Sequence, residues 1–222
     1  MTAALLTLAD SRLPAGGHTH SGGVEQAIAA GHVTDPASLA AFLLRRLQTA
    51  GAVAAGLAAA ACAGVDLALL DAECDARTPS PALRAASRQQ GRGLVRVARR
   101  AWPSPRWDAL PAAPHHPIAL GVAAAAGGLS ARDAAAAAAY LSISGPATAA
   151  QRLLAMDPLT VAAVTARLSP EVDAVATRSA RLGEQASRRS GYLGGDLPAD
   201  TDPLLDLLAE VHLARRDRYF AS

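Results

Sequence analysis

The sequence predicts an all-α protein, folded as one multi-helix bundle of about eight to ten helices. Alanine, the best helix-forming residue and a poor strand former, occurs 57 times in 222 residues. Aromatic residues make up only 3% of the chain, and no segment alternates apolar and polar residues as a half-buried strand does. Short polar residues followed by proline recur along the chain, a pairing typical of helix beginnings.

These polar-proline pairs mark where the predicted helices begin: Asp35-Pro36, Ser80-Pro81, Asp157-Pro158, Ser169-Pro170 and Asp202-Pro203. Ser130 with Asp133 resembles a further capping box. We expect Gly145-Pro146 to interrupt a helix, because proline has no backbone N–H to donate. After a short apolar helix at the start and a second helix near Gly22, the predicted helices span about 36–63, 66–76, 81–101, 117–126, 131–143, 147–155, 158–168, 170–186 and 203–218.

Two segments are predicted to be non-helical. Pro103–Pro117 holds five prolines and has bulky anchors in Trp102 and Trp107. Residues 190–202 are rich in Gly, Asp and Pro and are expected to form a mobile loop. Neither segment divides the chain, so we expect a single domain over 1–222, with a motif segment at 1–25 and a tail at 215–222.

Composition excludes several classes of protein. Cys62 and Cys74 lie outside any C-x-x-C pattern, which argues against a disulfide framework or a Cys-rich zinc site. A net charge of +2 does not indicate a nucleic-acid binder. The apolar start lacks a basic leader and ends at Asp10, unlike a signal peptide, and residues 50–65 fit a buried alanine-glycine helix better than a membrane span. We therefore expect a cytoplasmic protein with no membrane partner.

The opening segment, residues 8–25, has two interpretations. His18, His20 and Glu25 could act together as metal ligands. A single His-x-His pair is a weak signal, however, and the favoured interpretation is a tight loop in which Ser21 caps the next helix.

The predicted helix 81–101 carries an arginine at every fourth position, which places five cations along one ridge: Arg84, Arg88, Arg92, Arg96 and Arg100. Like charges at this spacing repel, so something should offset them. Carboxylates of the fold are one candidate, with Asp202, Asp206 and Glu210 on the last helix. An acidic partner surface or a phosphate is the other. Gly91 and Gly93 inside this helix predict a close backbone contact or a local break.

The tail, residues 215–222, ends in adjacent aromatic residues, Tyr219 and Phe220, preceded by Arg218. The tail either folds back onto the protein or serves as a docking hook, since these residue types dominate binding hot spots. Because alanine buries little area, we also expect partner binding or self-association to supply part of the missing burial. No nucleophile elbow, P-loop or dinucleotide fingerprint is present, so the chain shows no visible active site.

Four blocks of the chain together carry a family resemblance: Leu13-Pro14-Ala15-Gly16 with Ser21-Gly22-Gly23-Val24-Glu25, Asp75-Ala76-Arg77 with residues 84–91 and Leu94, Gln151-Arg152-Leu153-Leu154, and Arg218-Tyr219-Phe220-Ala221-Ser222. In this order they resemble the UreF family of urease accessory proteins, and the histidines and many arginines resemble its actinobacterial members. Gly17-His18 and Pro146 depart from the family pattern and affect the expected local loop geometry.

The resemblance implies an all-helical, usually dimeric, non-enzymatic chaperone with no cofactor of its own. Such proteins bind UreD (UreH in some species) and recruit the GTPase UreG, and the assembly delivers nickel to apo-urease, with nickel passing transiently through the complex. By this resemblance and the reading above, the expected partner-binding residues lie in the motif segment, the tail and the arginine helix: Pro14, Gly16, Ser21, Glu25, Arg218, Tyr219, Phe220, Ser222, Arg84, Arg88 and Arg92.

Two other functions are kept as alternatives. A helical nucleic-acid-binding regulator would use the arginine helix 81–101 and would bind with a steep salt dependence. A metal hydrolase would use His18, His20 and Glu25.

Overall fold

A computed structural model describes residues 3–10, 12–189, 195 and 197–222. Its helices are α1 (Ala3–Ala9), α2 (Val24–Ala29), α3 (Pro36–Arg46), α4 (Ala52–Ala63), α5 (Leu67–Ala76), α6 (Pro81–Ala101), α7 (His116–Ala126), α8 (Ala131–Leu153), α9 (Pro158–Arg167), α10 (Ser169–Ser187) and α11 (Pro203–Ala214). A π-helical turn, Leu47–Gly51, joins α3 to α4 without a break, which confirms one continuous helix over 36–63. No strand occurs in the described residues, and the all-α prediction is confirmed.

The centre of the fold is α4, which packs against α7, α8 and α10. Nearly every residue of α4 is buried, and most of them are alanine. Two glycines on the neighbouring helices allow the close approach. A Cβ at Gly121 of α7 would overlap the backbone oxygen of Ala58, and a Cβ at Gly183 of α10 would lie 2.7 Å from the backbone nitrogen of Ala60. The alanine-rich composition therefore produces a core of closely spaced helices.

Pro146 does not end a helix, and the expected break between 143 and 147 is wrong. α8 runs from Ala131 to Leu153 with Pro146 inside it. The missing donation from Pro146 leaves the carbonyl of Ser142 without its helical partner. Arg46 supplies that partner, because its Nε donates to Ser142 O at 2.9 Å. Gly145 has no Cβ to collide with the ring of the proline that follows it.

Other boundaries differ from the prediction by smaller amounts. The last helix ends at Ala214 rather than at 218, because Arg215 has an extended backbone. α2 begins at Val24 after Gly23, whose φ of +89° favours glycine, so Ser21 is not the predicted cap. The proline-rich connection contains a 3₁₀ turn, Pro105–Ala109, anchored by the buried ring of Trp107.

The predicted mobile loop at 190–202 falls largely outside the described residues, which omit 190–194 and 196. Its described part packs against the fold. Leu197 is buried, the ring of Pro198 lies against Gly56 of α4, and Pro198 O accepts a hydrogen bond from Arg77 at 3.0 Å. None of the helices in the described ranges is long and apolar enough to cross a membrane.

Candidate partner-binding surface

The two ends of the chain meet in one junction. Ala221 N donates to Thr19 O at 2.8 Å, and Ser21 N donates to Ser222 O at 2.5 Å. The hydroxyl of Ser222 lies 2.6 Å from Nδ1 of His20. The tail therefore folds back onto the protein, and its seat is the N-terminal motif.

Glu25 holds this junction together from beneath. Its buried carboxylate accepts hydrogen bonds from the backbone N–H groups of Tyr219, at 2.8 Å, and Phe220, at 3.0 Å. Nε2 of His212 in α11 lies 3.9 Å from the same carboxylate and 3.2 Å from the carbonyl of Phe220. A second link comes from Arg215, which donates to Gln26 Oε1 at 3.1 Å. Glu25 therefore serves as a receptor for the tail backbone.

The metal-site interpretation of the opening segment finds no support in this geometry. His18, His20 and Glu25 do not form a converging ligand set in the described part of the chain. His18 is exposed, whereas His20 is buried. Burial lowers the pKa of His20, and the nearby His18 lowers it further. His20 and Glu25 instead use their polar atoms to bind the tail.

Two polar atoms at the junction are buried without a protein partner. They are the hydroxyl oxygen of Ser21 and Nδ1 of His212, and they are the only side-chain atoms of this kind among the described residues. Both belong to residues that flank the tail. The junction therefore contains polar atoms that the described part of the protein leaves without a hydrogen bond.

The expected motif glycines and proline shape the same region. Gly16 has a φ of +85°, which a residue with a side chain rarely adopts, and Pro14 beside it is exposed. The backbone of Ala15, between them, packs directly on Gly93 of α6. Gly22, with a φ of +61°, lies against the ring of Pro146. The motif is therefore fixed to both α6 and α8 by residues that have no Cβ.

Exposed apolar side chains accompany the tail. Tyr219 is 84% exposed, and Leu207, Val211 and Leu213 on α11 are each at least half exposed. Phe220 is only partly buried and packs against the core. Arg218 is exposed and donates to Leu213 O at 3.2 Å. Sequence analysis missed the α11 residues, although the run Leu204-Leu205-Asp206-Leu207-Leu208 places leucines on two sides of the helix.

The first two arginines of the α6 ridge are paired within the fold. Arg88 donates to Asp71 Oδ2 at 2.9 Å and to Asp75 Oδ2 at 2.6 Å. Arg84 donates to the carbonyls of Thr78 and Pro79, at 2.7 and 3.0 Å. In the described residues, neither arginine forms a hydrogen bond or an ion pair with the carboxylates of the last helix that the sequence suggested. Asp202 instead pairs with Arg45, and Glu210 accepts from Ser80 and from the backbone of Ala82.

His115 completes the cluster around Arg88. Its Nε2 lies 2.8 Å from Asp75 Oδ1, and its Nδ1 lies 3.0 Å from the hydroxyl of Ser87. Burial lowers the pKa of His115. For Asp75, burial acts to raise the pKa, but the hydrogen bonds from His115 and Arg88 outweigh it and the pKa is lowered. Asp71, Asp75 and His115 have metal-ligand spacing, but Arg88 already supplies the cation there. The cluster ties α5 and α6 to the start of α7.

The remaining ridge arginines differ from these two. Arg92, Arg96 and Arg100 are exposed and have no carboxylate partner among the residues that the structure describes. Gly91 and Gly93, on either side of Arg92, make close backbone contacts with Pro114 and Ala15 respectively, so the predicted close contact is confirmed. Of the three ridge arginines predicted to bind a partner, Arg92 is therefore the one that is exposed and has no carboxylate partner among the described residues.

Comparison with known proteins gives a consistent result. The family model described as UreF matches residues 33–169. A protein of Mycolicibacterium vanbaalenii named urease accessory protein UreF is 53% identical over 224 residues, covering 99% of this chain and 98% of its own length. Proteins of the same name from Mycobacterium sp. (strain JLS) and Mycobacterium tuberculosis (strain H37Rv) are 51% and 49% identical, covering 98% and 99% of this chain and 97% and 98% of their own lengths.

Proposed function

The chain belongs to the UreF family of urease accessory proteins, and from this premise we propose that it is a non-enzymatic scaffold of the complex that matures apo-urease. In this proposal it binds UreD (UreH in some species) and recruits the GTPase UreG, and the assembly inserts nickel into apo-urease. The protein acts in the cytoplasm as a homodimer. It holds no cofactor, and nickel only passes through the complex.

The observation that carries this proposal is the junction of the two chain ends. The tail is seated on the N-terminal motif, so residues from both ends contribute to one surface. Tyr219 and the apolar side chains of α11 project from this surface into solvent. Exposed apolar side chains beside a polar, hydrogen-bonded base are the usual composition of a protein-binding surface.

We assign UreD to this surface, with Tyr219 as the anchor. Phe220, Arg218 and Ser222 position the anchor, and Pro14, Gly16, Ser21 and Glu25 form the seat beneath it. A second docking element, formed by Arg84, Arg88 and Arg92, remains a prediction. Arg84 and Arg88 are supported less than Arg92, because their guanidinium groups already bind the fold.

Co-purification with UreD tests the assignment. The double variant Tyr219→Ala/Leu207→Ser removes two exposed side chains and should leave the fold intact. We expect the recovery of UreD to fall at least tenfold. A matched control, Tyr140→Ala/Leu159→Ser, makes the same chemical changes at exposed positions on α8 and α9.

The control variant should retain normal recovery of UreD. Equal recovery by both double variants would show that UreD does not use the tail. Recovery of urease activity in cells that express all accessory proteins then tests the wider role. If neither variant nor complete absence of this chain changed urease activity, the scaffold function would be wrong.

A further inference from the structure

A groove runs along the second half of α6, and Arg92 is its one residue that the proposed function also names. One wall is α6, with Arg92, Arg96 and Arg99, and the other is the proline-rich connection before α7. The groove has a volume of about 500 Å³ and is open to solvent. It therefore has the size of a site for a few side chains of a partner.

The charge of the groove is unbalanced. Arg92 and Arg96 have no carboxylate partner among the described residues, whereas Arg99 donates to Asp108 at 3.1 Å and to the carbonyl of Trp107 at 2.8 Å. α6 itself contains no acidic residue. Arginines four residues apart repel each other by a few tenths of a kcal/mol, and Arg92 and Arg96 form no ion pair among the described residues that would offset this repulsion. An anionic ligand would offset it.

The walls of the groove are rigid. Gly91 lets α6 touch the backbone of Pro114, and the ring of Trp107 is buried and donates to Trp102 O at 2.9 Å. Apolar side chains also line the groove, from Val95 on α6 and from Leu110 and Pro111 on the connection. Because the backbone of both walls is already packed in place, binding has to order mainly the side chains of Arg92 and Arg96.

We propose that this groove binds an acidic segment of a partner protein that carries apolar side chains between its carboxylates. Carboxylates pair with the planar guanidinium groups of Arg92 and Arg96, and an apolar side chain rests on Val95, Leu110 and Pro111. The two arginines lie one turn of helix apart, about 6 Å along the axis, so two carboxylates of one segment can pair with them separately.

The same features disfavour a nucleic acid. The aromatic ring of Trp107 is 2% exposed and unavailable for base stacking. The apolar side chains of the groove instead suit the leucines of an acidic peptide. The inference does not rest on the proposed function, since it requires neither UreD nor the tail.

Fluorescence anisotropy with a labelled peptide tests the proposal on the full chain. The probe is a ten-residue peptide of glutamates interrupted by leucines, and the variant is Arg92→Glu/Arg96→Glu. We expect the variant to bind at least tenfold more weakly. The control, Arg178→Glu/Arg181→Glu on the exposed side of α10, makes the same change in net charge and should change the affinity less than twofold.

Three further measurements complete the test. If the glutamate variant does not fold, Arg92→Gln/Arg96→Gln provides the same comparison without charge reversal. A peptide with serine in place of leucine should bind at least threefold more weakly, and equal binding would contradict the apolar floor. Equal losses in both double variants, or tighter binding of a 20-nucleotide oligothymidine through Arg92 and Arg96, would overturn the proposal.

Discussion

The core and the junction of the chain ends are held together in opposite ways. Around α4 the contacts are between small apolar residues, and the helices approach until backbone meets backbone at Gly121 and Gly183. At the junction the contacts are hydrogen bonds: some join two backbone groups, two run from the tail backbone to Glu25, and one joins the side chains of His20 and Ser222. The core therefore tolerates no added volume, whereas the junction depends on charge and on the pairing of polar groups.

The strongest test of this contrast is the addition of one methyl group to the core. Gly121→Ala places a Cβ against the backbone of Ala58 and against Ala61, and neither backbone can move without shifting α4. We expect the free energy of unfolding to fall by about 3 kcal/mol or more, measured by denaturant titration. Gly17→Ala makes the same change where nothing lies within 4 Å, and it should cost less than about 0.5 kcal/mol. Similar losses in both variants would contradict the close packing of α4 and α7.

At the junction, Glu25→Gln keeps the shape of the side chain and removes its charge. One of the two backbone donors, from Tyr219 or Phe220, then faces an NH₂ group instead of an oxygen. We expect a loss of about 2 kcal/mol and faster proteolysis of the tail. Glu184→Gln, at an exposed position of α10, serves as the control and should leave both measurements unchanged.

Acid should weaken the protein through histidines that fold in the neutral form. Burial, aided by His20, lowers the pKa of His116 to about 4, so the unfolded chain takes up a proton on that residue at a higher pH than the folded one does. Stability is then lost as the pH falls below about 6.5, and His116 alone should account for about 2 kcal/mol between pH 7 and pH 5. The pKa values of His20 and His115 are lowered as well and act in the same direction.

Denaturant titration across this pH range measures the effect. His116→Asn should flatten the dependence, and His32→Asn, at an exposed site, should preserve it. A chain whose stability stays constant from pH 7 to pH 5 would show that these histidines are not held neutral.

The smallest effect on stability is expected for Tyr219→Ala. This side chain is 84% exposed, so its removal should change the free energy of unfolding by less than about 0.5 kcal/mol. Thermal unfolding of the variant checks this. A drop of several degrees in the unfolding temperature would place Tyr219 in the junction rather than on its surface.

Much of the fold follows from local signals in the sequence. The polar-proline pairs predict the beginnings of α3, α6, α9 and α11, because the N-cap side chain and the proline act within one turn of each other. Pro146 shows where local reasoning fails. The helix continues through it because Arg46, about a hundred residues earlier, satisfies the carbonyl that the proline leaves free. No local pattern contains that contact.

The candidate site was predictable only in part, because it too combines local sequence signals with long-range contacts. Its residue types and the two terminal segments follow from the sequence, whereas their meeting at Glu25 depends on contacts across almost the whole chain. The arginine ridge is similar. Its regular spacing is local, but only the folded chain separates Arg88, which binds Asp71 and Asp75, from Arg92, which binds neither.

The glycine pair in α6 sets a fixed distance between two surfaces of the protein. Gly93 receives the backbone of the N-terminal motif, and Gly91 receives the wall of the arginine groove. The two residues are about 3 Å apart along the helix axis, on a segment that does not bend easily. Since residues two apart lie on opposite faces of an α-helix, partners that occupied the two surfaces at the same time would be held on opposite sides of α6.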